Sequence, residues 1–122
     1  MGSALLVFSM TPEGKVLKEI LKFLKYAKIP HWRMNASNGT FGMPDIIGIE
    51  PVTGRFIGIE VKADNGEENE VQKLWKEHIL TNNGIHIVAK SVKDVVETLW
   101  GDDEFENRVT RVSKEYSERI KK

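Results

Sequence analysis

Apolar positions recur along this chain with two periods, and the switch between them predicts the order of elements. From Thr11 to Ala27, Val16, Leu17, Ile20, Leu21, Phe23, Leu24 and Ala27 fall at spacings of three and four, the stripe of an amphipathic helix. Thr11-Pro12-Glu13 starts it, with a side-chain acceptor at the N-cap, proline at the first helical position and an acid in the first turn. Ile29 to Met34 predicts a first strand, and Asn35-Ala36-Ser37-Asn38-Gly39-Thr40 a polar loop. Two short apolar runs, within Gly42–Glu50 and Arg55–Lys62, flank Pro51-Val52-Thr53-Gly54 and read as a β-hairpin. Val71, Leu74, Trp75, His78 and Ile79 mark a second helix over about Glu70 to Asn82, ended by the left-handed signal Asn82-Asn83-Gly84. Ile85–Ala89 is a short, almost continuous apolar strand, as expected of one covered on both faces. Ser91, with Asp94 three residues on, opens a third helix whose Val92, Val95, Val96, Leu99 and Trp100 face inward. Beyond Gly101, Phe105, Val109, Val112, Tyr116 and Ile120 give a fourth helical pattern, buried against this domain or a second subunit.

The expected order is therefore α-β-β-β-α-β-α-α. The strand–helix–strand unit around the second helix argues a parallel pair beside an antiparallel hairpin. The fold class is α/β: a mixed β-sheet flanked by helices.

The hairpin carries the chemistry. Side chains alternate across a strand, so Glu60 and Lys62 leave one face and Val61 the other. With a turn centred near Thr53, the start of the first strand lies beside the end of the second, and Asp45 meets Glu60 and Lys62. Two carboxylates so close raise one pKa unless a cation intervenes. Mg²⁺ is the obvious cation, because it takes oxygen ligands and keeps water or phosphate in its shell. Such a site suits phosphodiester hydrolysis, with Lys62 orienting the attacking water or offsetting charge at phosphorus. Glu13 precedes Val16, Ile20 and Leu24 by three, seven and eleven residues, which puts it at the N-terminal end of the buried stripe. Alone it reads equally well as a helix-dipole acid.

Length and charge add bounds. A chain of 122 residues predicts one domain, 1–122, with a core of about 11–100 and a C-terminal helical extension over 101–122. Eighteen basic residues balance eighteen acidic ones, so net charge points to no partner. From Lys15 to Arg33, however, six basic residues face one acid, a distribution that suits phosphate backbone as well as a solvated helix face. Candidate DNA contacts are Arg33, Arg55, and Asn35, Ser37 and Asn38 of the loop before Asp45. With no cysteine, disulfides and thiolate metal sites are excluded. Ala4–Phe8 is too short for a signal-peptide core, and no run reaches the roughly 20 apolar residues of a membrane span. A cytoplasmic protein without membrane contact is expected. His31, His78 and His86 lack metal spacing and are expected to be structural, and Trp32, Trp75 and Trp100 to be core.

Pro44-Asp45, fourteen intervening residues and Glu60-Val61-Lys62 resemble the PD-(D/E)xK nuclease signature. Gly42-x-Pro44-Asp45, Gly54-Arg55, Gln72 ten residues after the lysine, Trp75 and Gly84 are similar to one branch, the VRR-NUC domains. Glu13-x-x-Val16-x-x-x-Ile20-x-x-Phe23-Leu24 resembles that branch's first helix. The resemblance implies a restriction-endonuclease-like αβββαβ core, with extra C-terminal helices here, that cuts DNA with Mg²⁺ or Mn²⁺. It makes Asp45 and Glu60 metal ligands, with the Val61 carbonyl as a third. Glu13 becomes the acid that holds metal or its water, Lys62 the catalytic lysine, and Gln72 a neighbour that positions lysine or phosphate. Small stand-alone members resemble Holliday-junction resolvases and act as dimers, so branched DNA and a homodimer, in bacterial or phage replication, repair or recombination, are expected. Asn69-Glu70-Val71 departs from the Ser-Pro-Glu-like cap common there. The alternatives are a catalytically weak DNA-binding module on the same fold and a purely structural domain.

Overall fold

Helix α1 (Pro12–Tyr26) begins as its sequence predicts in the computed structural model, which describes residues 11–34, 42–63 and 66–101. Thr11 is extended, and its Oγ1 accepts a hydrogen bond from Gly14 N at 3.0 Å. After Ala27 the chain turns through Lys28, in left-handed backbone at φ 59°, into strand β1 (His31–Arg33). Strands β2 (Ile46–Ile49) and β3 (Phe56–Val61) form the hairpin. Helix α2 (Glu70–Thr81), strand β4 (Ile85–Ala89) and helix α3 (Val92–Trp100) complete the described elements. The predicted fourth helix, the loop Asn35–Thr40 and Ala4–Phe8 lie outside the described residues.

The sheet has the order β1-β2-β3-β4. β1 and β3 run antiparallel to β2, and β4 runs parallel to β3. The mixed α/β sheet is thus as expected. On one pleat face, Ile46, Ile57, Ile59, Val61, Ile87 and Ala89 meet Ile20, Phe23 and Leu24 of α1 and Val95 and Leu99 of α3 in one buried cluster. Each fully buried isoleucine contributes roughly 1.5–3 kcal/mol, so β3 is fixed firmly from this side. On the other face lies α2, admitted by Gly58: a Cβ there would stand 2.8 Å from Ile79 Cδ1 and 2.8 Å from Pro44 Cγ.

The hairpin turn is held by Glu50, whose carboxylate accepts from Val52 N, Thr53 N and Thr53 Oγ1 at 3.1, 2.7 and 2.6 Å. That buried acid is therefore satisfied within its own turn. At the foot of α2, Asn83 takes the left-handed conformation (φ 63°) and Gly84 N donates to Ile79 O at 2.7 Å.

Three expectations are corrected. Trp32, expected in the core, is 54% exposed, because β1 is the sheet's outermost strand and α2 lies over β3 instead. Leu74, on the predicted inward stripe of α2, is 52% exposed, and His78 is exposed too. A helix laid on one end of a sheet buries a narrower arc than its apolar stripe, and here only Ile79 is fully buried. β1 is also shorter than Ile29–Met34, spanning three residues. Among the described residues no helix is long and apolar enough to cross a membrane.

Candidate active site

The register of the hairpin builds the site. Ile46 pairs with Ile59, so one step further along the ladder Asp45 comes to Glu60. Pro44, fully buried, delivers Asp45 there, and Met34 N donates to the Asp45 carbonyl at 2.8 Å. The Asp45 side chain does not point free: its Oδ2 accepts from Val61 N at 2.7 Å. Glu60 is only 3% exposed. Its Oε1 accepts from Gln72 Nε2 at 2.8 Å, while Oε2 is buried with no hydrogen-bond donor of the described residues reaching it.

Gln72 does two jobs from the first turn of α2. Its Oε1 accepts from Asn69 N at 2.9 Å, and Asn69 Oδ1 accepts from Gln72 N at 2.9 Å, a reciprocal capping box. The residue that starts the helix therefore also holds the Glu60 carboxyl. Gln72 was expected to position lysine or phosphate; in the structure its side-chain amide donates to the acid Glu60. Glu13 reaches the same end of the sheet from α1, where its Oε1 accepts from Ala63 N at 3.0 Å. Lys62 N donates to Ala89 O at 3.0 Å, extending the β3–β4 ladder. Its aliphatic stem runs beside Gly66, where an added Cβ would lie 3.2 Å from Lys62 Cβ and 3.3 Å from Cδ.

Burial, followed by the adjoining Asp45 carboxylate, pushes the Glu60 carboxyl from 4.5 up to about 8, against the pull of the Lys62 ammonium. Two carboxyls in such a setting resist being charged together. The buried Glu60 carboxyl, with the half-buried Asp45 carboxyl beside it and one oxygen that no donor among the described residues reaches, fits a hard divalent cation, which takes oxygen ligands and fills its shell with water or phosphate. Among the described residues no three His, Cys, Asp or Glu side chains converge as a metal-ligand group. Asp45 and Glu60 are the two carboxyls that the structure brings side by side.

The other candidates lie elsewhere. Arg55 sits at the opposite end of β3, where its Nε donates to Asn83 O at 2.8 Å and Nη2 to Gly84 O at 3.3 Å, bracing the hairpin turn against the α2–β4 connection. Arg33 is exposed on the outer strand. Asn35, Ser37 and Asn38 lie outside the described residues. His86, expected to be structural, lies beside Glu68, a contact the sequence did not foretell. The His86 ring is 1% exposed, its Nε2 lies 3.9 Å from Glu68 Oε2, and Lys76 Nζ stands 3.5 Å from Glu68 Oε1. Burial pushes the imidazole below its usual 6.5. A polar residue in the middle of the apolar run Ile85–Ala89 was the one signal available.

The family model described as the VRR-NUC domain matches residues 5–93. No curated protein and no solved structure matches.

Proposed function

The chain belongs to the VRR-NUC family, which makes it a nuclease-type DNA-processing protein, and from that premise we propose a metal-dependent endonuclease that hydrolyses DNA phosphodiesters at the Asp45–Glu60–Lys62 end of the sheet. What carries the reading is Glu60, a buried carboxyl beside a second one, with an oxygen that no donor among the described residues reaches. Asp45 and Glu60 would hold Mg²⁺ or Mn²⁺, together with the Val61 carbonyl, and Glu13 would hold metal or water from the α1 side. When bound, such a cation stabilises charge on the phosphoryl oxygens and acidifies water.

The chain's own groups do the rest. Val61 N–H fixes one Asp45 oxygen, and Gln72 fixes one Glu60 oxygen, so both acids are oriented before substrate arrives. The Lys62 ammonium orients the attacking water and offsets the charge that develops at phosphorus, an electrostatic contribution that is often the largest in such sites. Glu13 ties the exit of β3 to α1, which keeps Lys62 in place. The finer reading is a homodimer selective for branched DNA, acting in the cytoplasm in replication, repair or recombination. Two facing sites would suit cuts in opposite strands.

The test is incubation with single-stranded, duplex, flap, splayed-arm and four-way-junction DNA, with Mg²⁺, Mn²⁺ or chelator. Cleavage that needs the cation and is lost in Glu60→Ala and Lys62→Ala supports the site; cleavage retained by both purified variants rejects it. Cation-independent DNA binding that survives Glu60→Ala, with no cutting by the wild type, would instead mark a binding module.

A further inference from the structure

Lysines on α1 form a second charged feature outside the site. Lys15, Lys18, Lys22 and Lys25 are all exposed. At about 100° per residue they fall within an arc of about 80°, which lies opposite Ile20, Phe23 and Leu24 on the helix. Lys15 to Lys25 spans about 15 Å at 1.5 Å per residue. None of the four forms an ion pair with a described residue, whereas Lys73, Lys76 and Lys93 each do. Like charges three and four apart weaken a helix, and Glu19 is the one acid set among these four lysines.

The ridge runs on past the helix. Lys28 holds left-handed backbone at φ 59°, a position that glycine or asparagine usually fills. Lys25, Lys28 and His31 line an open cleft of about 330 Å³ there. A straight ridge of about 15 Å is long enough to meet several phosphates of a duplex backbone.

The placement matters as much as the charge. α1 packs on the sheet face that carries Ile57, Ile59 and Val61, while Glu60 leaves the other face toward Gln72 on α2. Glu13, at the start of the same helix, marks the end of the ridge nearest the site, and from there the lysines run along the outer side of α1, turned away from the sheet. We infer that the lysine ridge of α1, set on the face of the sheet opposite the Glu60 carboxyl, docks the phosphate backbone of a second duplex segment, distinct from the one being cut. The inference rests on the nuclease reading only for the identity of the first segment.

The experiment compares the wild type with the quadruple variant Lys15→Gln/Lys18→Gln/Lys22→Gln/Lys25→Gln of the full chain. Two DNAs are used: a duplex one helical turn long, and a junction joining two such duplexes. Binding is measured in chelator across a salt series, and cleavage with Mg²⁺ or Mn²⁺. For the junction, the variant's slope of log affinity against log salt should be shallower by up to about 0.9 per lysine. The short duplex should be bound and cut as by the wild type. An unchanged junction slope overturns the inference, and so does an equal loss on the short duplex, which would assign the ridge to the segment being cut. If the wild type cuts nothing while the junction slope still falls, the ridge stands and the nuclease reading fails. Should the quadruple variant not fold, Lys18→Gln/Lys25→Gln gives the same comparison at about half the slope change.

Discussion

At Glu60 the chain buries a carboxyl beside a second carboxyl, and Gln72 donates a hydrogen bond to one of its oxygens. Gln72→Leu leaves that oxygen without its donor and removes one arm of the α2 capping box. A loss of roughly 1–3 kcal/mol is expected from the stranded acceptor, read as a lower urea midpoint at unchanged m-value. Lys62→Ala should leave the midpoint almost unmoved, yet lower cleavage on the order of 10²–10³-fold, as removal of one electrostatic donor does elsewhere. His86 sets a pH dependence. Its folded-state pKa lies below 6.5, facing Glu68 and Lys76, so the unfolded chain takes up the proton first as pH falls. Stability should therefore fall as pH drops below about 6.5, and the wild-type-minus-His86→Leu difference in melting temperature should shrink over that window. A difference that stays flat from neutral pH to pH about 5 would contradict it. The acids of the site were legible in the sequence, because one turn fixes which residues of a hairpin face each other. The hold of Gln72 on Glu60 was not, since it depends on where the first turn of α2 comes to rest on β3.

Among the elements, α2 is the one whose seating decides the site. It comes close to the sheet through two glycines. A Cβ on Gly58 would stand 2.8 Å from Ile79 Cδ1, and one on Gly42 2.0 Å from Val71 Cγ1, with Gly42 at φ 83° as well. Gly42→Ala is expected to cost roughly 1–3 kcal/mol by overpacking and more through backbone strain. Because the same wedge pushes between Pro44-Asp45 and Gln72, its catalytic loss should exceed what stability alone explains when cleavage is assayed well below the melting temperature. The α1 stripe was read correctly because its apolar face is wide and lies wholly on the core. The α2 stripe over-predicted burial at Leu74, and the β1 pattern at Trp32. Periodicity reports which residues share a face, but not how much of that face a neighbour covers.

At the scale of the whole molecule, a cation held by Asp45 and Glu60 as proposed would bind the folded state alone and so stabilise it. Mn²⁺ at a hundred times its dissociation constant should add about 2.7 kcal/mol, and Asp45→Asn should abolish the rise in melting temperature. A shift that persists in that variant would place the cation elsewhere. Sedimentation of the pure protein tests the homodimer separately, and a monomer at working concentration would count against it.

The sequence by itself determined the order of elements, the mixed sheet and the meeting of Asp45 with Glu60. Each follows from local rules: a hydrophobic period, a proline-entered strand and a short turn that leaves only one register with the apolar side chains inward. Tertiary structure alone decided that Asp45 spends an oxygen on Val61 N, that Gln72 links a helix cap to a buried acid, and that Arg55 braces the far end of β3. Those depend on how separate elements close on one another over tens of residues, and the side-chain pattern within any one element carries no record of that distance.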